Sequence, residues 1–163
     1  MKTPFILPFI ALLVACAKAP EKFRSSYVEF DFPAAWTISA DSSEGDLYIE
    51  LLSPDSDAML LSAMPGVMPP EFILDGFWSA YSHSLPESFQ LVKSDSLRFC
   101  YFGGYEARCL DYTIRAGGQV IRGDMYSFNA SGNTFTLQRH AGDSTMSKFM
   151  QDTEIVESTI YFP

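Results

Sequence analysis

The stretch that decides the fold is residues 105–140, which read YEARCLDYTIRAGGQVIRGDMYSFNASGNTFTLQRH. Apolar and polar side chains alternate from Leu110 to Arg115, the pattern of a strand with one buried and one exposed face. Breaks that contain glycine, at residues 116–118 and 130–133, favour hairpin turns. The stretch therefore predicts three antiparallel strands, at residues 105–115, 119–129 and 134–140.

Further alternating segments precede this stretch in the chain. Residues 91–102 predict one more strand, which a hairpin containing Gly103 and Gly104 joins to residue 105. Nearer the N-terminus, turn-forming segments rich in Ser, Asp and Pro separate three shorter alternating runs. These runs predict strands at residues 27–32, 47–52 and 58–63.

Between the two groups of strands, the apolar period changes from two to that of a helix. The apolar side chains that recur at helical spacing are Leu74, Phe77, Trp78, Tyr81 and Leu85. Pro70 suits the first turn of this helix, and Pro86 ends it. We expect Phe72, Phe77 and Trp78 to belong to the core rather than to a ligand site.

A second helix is predicted near the C-terminus. Asp143 or Ser144 can cap its first turn, and the apolar side chains of Met146 and Phe149 follow. Strands and helices grouped in this order are typical of the α+β class. The predicted architecture is an antiparallel sheet of about six or seven strands with helices packed on it.

The first sixteen residues have the pattern of an export signal. Lys2 precedes an almost wholly apolar run at residues 5–15, which is too short to cross ~30 Å of hydrocarbon. The run ends in Leu-Val-Ala-Cys at residues 13–16, which resembles the lipobox of bacterial lipoproteins. The resemblance implies that residues 1–15 are removed and that Cys16 receives a diacylglyceryl group and a further acyl chain.

The lipobox resemblance also implies a location. One acyl chain gives reversible membrane binding, so the several chains on Cys16 would anchor the protein permanently to a lipid bilayer. Ala17, where an Asp would favour the inner membrane, favours the outer membrane in proteobacteria, with the protein facing the periplasm. The mixed, polar residues 16–26 predict the lipidated cysteine and a short linker, and residues 27–163 predict a single domain.

Two short motifs accompany the predicted order of elements. Phe-x-Phe-Pro-x-x-Trp stands at residues 30–36, and Gly-Tyr-Glu-Ala stands at the start of a strand, at residues 104–107. Over residues 27–162 this combination resembles the PsbP-like and DcrB-like group of small exported domains. The resemblance implies an α/β/α sandwich with a binding or assembly role, and it supplies no catalytic residues.

Two cysteines remain once Cys16 is lipidated. An even pair in an exported domain is a disulfide candidate, which favours a bridge between Cys100 and Cys109. If Gly104 and Tyr105 form a two-residue turn, the two cysteines face each other across the hairpin. The alternatives are two buried free thiols, or cysteines that lie one register step apart.

Charge and composition exclude several classes of function. The chain has 11 Lys and Arg against 20 Asp and Glu, a net charge of −9, so it lacks the basic footprint of a nucleic-acid-binding protein. Two His and three Cys are too few for a Cys/His metal cluster, and no motif indicates a cofactor. Together, the lipobox resemblance, the fold resemblance and the absence of a catalytic constellation lead us to expect a binding or assembly lipoprotein that is not an enzyme and whose partner is a protein or an envelope component.

Two other functions stay open at this point. A hydrolase or transferase of the envelope would use His140 with Asp143 or Ser144, and these side chains would have to converge in a pocket. A carrier of a small apolar ligand would need an empty cavity between sheet and helix. A binding module would instead have a filled core and an exposed apolar patch.

Overall fold

A computed structural model describes residues 18–43, 45–93 and 96–163. Within these ranges the chain forms ten strands and two helices. The strands are β1 (Glu21–Arg24), β2 (Glu29–Phe32), β3 (Thr37–Ser43), β4 (Asp46–Leu52), β5 (Ala58–Pro65), β6 (Gln90–Lys93), β7 (Arg98–Phe102), β8 (Tyr105–Ala116), β9 (Gln119–Ala130) and β10 (Asn133–Gly142). The helices are α1 (Pro70–Ser84) and α2 (Met146–Thr159).

Eight of the described strands form one antiparallel sheet. The order is β3-β4-β5-β10-β9-β8-β6, and β7 pairs with the half of β8 that β6 leaves free. β1 and β2 form a separate two-stranded ribbon. One helix packs on each face, which confirms the predicted α+β class with helices on an antiparallel sheet. Each face is named after the helix that packs on it, the α1 face and the α2 face.

The larger core lies on the α2 face, beneath α2 and the β1–β2 ribbon. The Trp36 indole stacks on the Phe149 ring of α2, with 5.4 Å between ring centroids. Phe128 of β9 and Phe135 of β10 stack at 5.5 Å, and Phe162 closes over both. Because these rings are almost fully buried, their removal from water is a main source of the fold's stability.

A smaller core lies on the α1 face. Leu74 of α1 is fully buried in a cluster with Leu110 and Met125 of β8 and β9. The ring of Tyr112 crosses the backbone of Gly123, where a β-carbon would lie 2.3 Å from the ring atom Cζ. The Gln138 side-chain amide donates a hydrogen bond of 2.8 Å to the Tyr112 hydroxyl, so this buried polar pair is satisfied.

Two strands lie where none is predicted. β1 occupies part of the predicted linker at residues 16–26, because the Phe23 ring stacks on Phe30 of β2 at 5.2 Å and the two backbones pair. β3 forms from a segment of mostly exposed, polar side chains. Backbone pairing with β4 holds it in place, and such pairing leaves no hydrophobic signal in the sequence.

The hairpin between β7 and β8 also differs from the prediction. Gly103 and Gly104 are its two central residues, with φ of +54° and +86°, so Phe102 pairs with Tyr105. The alternative turn at Gly104 and Tyr105, on which directly facing cysteines depended, does not form, because a turn with positive φ at both central positions favours two glycines over a tyrosine. The predicted strand at residues 91–102 is two strands, β6 and β7, on different halves of β8.

Candidate functional site

The two cysteines of the domain are joined. Cys100 pairs with Ala107 and Cys109 pairs with Arg98 in the β7–β8 register, so the cysteines are diagonal neighbours rather than opposite one another. A disulfide links them, and their Cα atoms are 6.2 Å apart, within the usual range for such a bond. The bridge therefore ties the edge strand β7 to β8.

His140 lies on β10, two residues beyond Gln138, and therefore on the α1 face. Burial lowers the pKa of its imidazole, while the negative charges of Asp57 and Glu50 act in the opposite direction. Nδ1 of His140 is buried and has no hydrogen-bond partner among the described residues. These features describe a half-buried histidine that favours its neutral form.

Asp143 points away from His140. Its carboxylate accepts a hydrogen bond of 2.6 Å from Nε of Arg122, which pairs with Ala141 and lies on the α2 face. Ser144 is exposed at the end of β10. Thus the structure does not bring His140, Asp143 and Ser144 together in one pocket.

A buried ion pair on the α2 face was missed by the sequence reasoning. Arg139 of β10 is only 5% exposed, and its guanidinium donates two hydrogen bonds to the Asp124 carboxylate, at 2.9 and 2.7 Å. A third hydrogen bond, of 2.8 Å, goes to the Tyr126 hydroxyl, and Glu157 of α2 lies 3.5 Å away. The signal was available, because Arg139 continues the alternation of buried Phe135 and Leu137.

In this network the opposite charges of Arg139 and Asp124 compensate each other. Burial by itself would lower the pKa of Arg139, but the hydrogen bonds and charge of Asp124 outweigh burial and raise it. Burial, followed by the negative charge of Asp124, raises the pKa of Tyr126 to about 12. A cleft of about 380 Å³ lies beside the network, against Met146 and Phe149 of α2. With its guanidinium engaged by Asp124, Tyr126 and Glu157, Arg139 is placed to link β9, β10 and α2.

Aromatic side chains are exposed on the α1 face at the edge of the sheet. Phe99 and Tyr101 of β7 are 77% and 67% exposed and project from the same side of the strand. The Arg108 guanidinium lies 3.2 Å from the centroid of the Phe99 ring and 3.9 Å from the Glu71 carboxylate of α1. We call Phe99, Tyr101 and Arg108 the β7 aromatic patch.

Phe72 adds a further exposed ring on α1. It is 72% exposed, so the prediction that Phe72 belongs to the core is wrong, whereas Phe77 and Trp78 pack on the core of the α1 face. Phe72 lies two residues before the buried Leu74, about 200° away around the helix, and so faces away from the sheet.

A shallow trough lies on the same face, farther along the sheet. α1 packs mainly on β8, β9 and β10, and several side chains on the α1 face of β3 and β4, such as Ser39, Asp41, Tyr48 and Glu50, are exposed. The trough, of about 300 Å³, has Tyr48 and Glu50 of β4 near its centre and Phe77 of α1 as one wall. We call this surface the β4 trough; the residues that line it include Ser39, Asp41, Tyr48, Glu50, Leu60, Ser62, Phe77 and Thr136.

Neither a metal cluster nor a membrane-spanning helix is found in the described ranges. No group of three or more His, Cys, Asp or Glu side chains there is arranged to hold a metal ion. Neither helix of the described chain combines the length and apolar character needed to cross a membrane. The predicted signal peptide (residues 1–15) and the lipidation site Cys16 lie outside the described residues.

Comparison with known proteins identifies the fold. No protein-family model matches the sequence, and no curated protein matches it either. The structure is similar to that of cyanobacterial PsbP (CyanoP) from Synechocystis sp. PCC 6803, with a TM-score of 0.66 and 12% identity over 92% of this chain and 95% of that chain. The fold is therefore PsbP-like, which agrees with the resemblance in the sequence motifs.

Two further structures share this fold. LpqN of Mycobacterium tuberculosis, described as involved in cell envelope biogenesis, has a TM-score of 0.55 and 19% identity over 88% of this chain and 89% of that chain. A protein from Bacteroides thetaiotaomicron VPI-5482 has a TM-score of 0.56 and 15% identity. The match covers 87% of this chain and 48% of the Bacteroides protein. At these identities the likeness concerns the fold alone.

Proposed function

We propose that this protein is a lipoprotein anchored through acylated Cys16, facing the periplasm from the outer membrane, whose domain binds a protein or envelope component without catalysing a reaction. The observation that carries the binding function is the β7 aromatic patch. The lipobox at residues 13–16 supports the anchor. The similarity of fold to LpqN, described as involved in cell envelope biogenesis, supports an envelope setting.

The composition of the β7 aromatic patch is that of a protein interface. Phe99 and Tyr101 expose most of their rings to water, although the burial of an aromatic ring is energetically favourable. Aromatic residues and Arg are enriched in interfaces relative to the rest of a protein surface. Because Arg108 already stacks on Phe99, a partner would meet a preformed surface and would order few additional side chains.

The packing beneath α1 favours a binding module over a carrier. The space that an apolar ligand would need is occupied by Trp78 and Tyr81 of α1, whose rings lie 5.9 and 5.6 Å from the ring of Tyr112. The pairing of Asp143 with Arg122 on the α2 face, away from His140, weakens the motivation for the hydrolase or transferase hypothesis. Exposed aromatic rings beside a filled core are what a binding module requires.

The position of β1 gives the anchor a geometric consequence. Glu21 begins β1 five residues after Cys16, so the chain between them spans at most about 18 Å even when extended. The β1–β2 ribbon packs on the α2 face, through Phe23 and Phe30. An anchor at Cys16 would therefore join the domain on the side opposite the β7 aromatic patch.

In-cell photo-cross-linking tests the binding function. Tyr101→p-benzoylphenylalanine places a photoreactive ring in the patch, and Gln151→p-benzoylphenylalanine places the same ring at an exposed position of α2 as the matched control. We expect a discrete cross-linked product in intact cells from position 101 and none from position 151. Equal products at the two positions, or none at either, would contradict the proposal.

A further inference from the structure

We propose that the β4 trough binds a basic, partly apolar polypeptide segment of a partner, one that presents a Lys or Arg beside an apolar side chain. This inference rests on the proposed function, because it names the chemistry of a partner for a binding protein. It concerns a surface separate from the β7 aromatic patch, on the other half of the α1 face.

Strand register brings the lining side chains together. Tyr48 of β4 pairs with Asp41 of β3 on one side and with Ser62 of β5 on the other. Directly paired residues project from the same face, so these three form one row across the α1 face. A second row, two residues along, holds Ser39, Glu50 and Leu60.

The two buried hydroxyl groups on the floor of the β4 trough are already paired within the protein. Ser62 and Thr136 are both buried, and their hydroxyls are hydrogen-bonded to each other. Leu60 and the Phe77 ring supply apolar surface beside them. An apolar side chain can therefore enter the trough without leaving a buried hydroxyl unpaired, since the two hydroxyls are hydrogen-bonded to each other.

The rim of the trough carries uncompensated negative charge. Asp41 and Glu50 are exposed, and neither forms an ion pair with any residue in the described ranges. The residues that line the trough include no Lys or Arg. The half-exposed Tyr48 ring lies in the same row as Asp41 and next to the row of Glu50, and a ring face of this kind attracts a cation. Charge complementarity thus calls for a cationic group from outside the chain.

Size and overall charge favour a polypeptide as the source of that cation. A volume of about 300 Å³ is at the lower end of small-molecule sites, which enclose most of their ligand, whereas this trough is open. It suits one or two side chains of a segment lying along the strands. The net charge of −9 would also speed the approach of a basic partner.

Peptide binding tests the inference without knowledge of the partner. The probe is a short fluorescein-labelled peptide of alternating Leu and Lys, with a Leu/Glu peptide and a Ser/Lys peptide of equal length as controls. The mature chain carrying Cys16→Ser, which lacks acyl chains, is titrated by fluorescence anisotropy, and amide shifts are mapped by NMR. We expect saturable binding of the Leu/Lys peptide alone, with the largest shifts in β3, β4 and β5.

Matched variants separate the trough from general acidity. Asp41→Asn with Glu50→Gln should weaken binding by about tenfold, as the loss of two solvent-exposed attractions implies. Glu87→Gln with Glu154→Gln changes the net charge equally at exposed positions outside the trough and should leave affinity unchanged. Tyr48→Ala, at a half-exposed position, should weaken binding as well.

Several results would overturn the inference. These are equal losses in the two double variants, equal binding of the Ser/Lys and Leu/Lys peptides, shifts outside the trough, or a dimer of the free chain that occupies this face. The cross-linking experiment at position 101 concerns another surface, so a failure of the proposed function can be distinguished from a failure of this inference.

Discussion

At the scale of single residues, Arg139 can be buried because the Asp124 carboxylate compensates its charge. Its guanidinium is buried with the Asp124 carboxylate, so Arg139→Met would leave that carboxylate buried without its partner. We expect this change to lower the free energy of unfolding by about 3–5 kcal/mol, measured by urea denaturation. Arg122→Met, which breaks the exposed pair with Asp143, should cost about 1 kcal/mol or less.

The double variant gives this prediction its control. Arg139→Met combined with Asp124→Leu removes both charges, and it should recover much of the lost stability, since two well-packed apolar groups can replace a buried ion pair. If Arg139→Met and Arg122→Met cost the same, the buried network would not have the role assigned to it.

Gly123 is a second residue whose identity depends on a close contact. In Gly123→Ala the new methyl group would lie 2.3 Å from Cζ of Tyr112, so the ring or the strand must move. We expect a loss of about 1–3 kcal/mol in the free energy of unfolding. Gly76→Ala is the matched control, because a β-carbon there meets nothing within 4 Å and should stabilise α1 by about 1 kcal/mol. Changes of the same sign would contradict this account.

His140 gives the stability a pH dependence. Burial holds its pKa below the ordinary value of 6.5, so the unfolded chain takes up this proton more readily than the folded one. The contribution of neutral His140 is therefore complete above about pH 6.5 and is lost as the pH falls toward the folded-state pKa. Between about pH 7.5 and about pH 5.5, the free energy of unfolding should fall less in His140→Gln than in the wild type.

His83 supplies the control for this measurement. It is the other histidine of the chain and is exposed near the end of α1. The loss of stability between the two pH values should be smaller in His140→Gln than in His83→Gln. A pH dependence unchanged in His140→Gln would show that the lost stability comes from other groups.

At the scale of elements, the disulfide determines how firmly β7 is held. β7 is a short edge strand that pairs only with β8 in the described sheet, and the Cys100–Cys109 bridge adds a covalent tie. Replacing both cysteines by Ala should lower the free energy of unfolding by about 2–3 kcal/mol, because the bridge closes a short loop. Hydrogen exchange should quicken in β7 more than in the central strand β10; a uniform increase would contradict this local role.

Elements were predictable where side-chain burial follows a period. α1 was predicted to within a residue of its end, because Leu74, Phe77 and Trp78 repeat at helical spacing and Pro86 stops the helix. β3 was not predictable in this way, because its exposed polar side chains carry no such pattern. The β7–β8 register depended on which residues take positive φ, and two adjacent glycines left that choice open.

The candidate surfaces were less predictable than the fold. The β4 trough exists because α1 covers only one half of a wide sheet. The order of strands in that sheet cannot be predicted from any single segment of the sequence. Tyr48, Glu50 and Asp41 come together only through the pairing of β3 with β4. The β7 aromatic patch was hidden for a similar reason, since Phe99 lay within a segment predicted as part of one longer strand.

At the scale of the whole molecule, the two faces of the sheet have different surroundings. The α2 face carries the larger core and the β1–β2 ribbon, whose first residue is five residues from Cys16. The α1 face carries the exposed aromatic rings and the acidic trough. If Cys16 is acylated as proposed, the anchor would lie on one side and the candidate binding surfaces on the other, so a domain tethered within about 18 Å of a bilayer could still present these surfaces to a partner.

The most direct test of a lipid-anchored binding protein is the chemistry of Cys16 itself. Cells are grown with an alkyne fatty acid, and the wild type is compared with Cys16→Ser by in-gel fluorescence and by the intact mass of the purified chain. We expect label on the wild type alone, and an intact mass that corresponds to a chain beginning at an acylated Cys16. Label on both proteins, or a wild-type chain with a free thiol at Cys16, would contradict it.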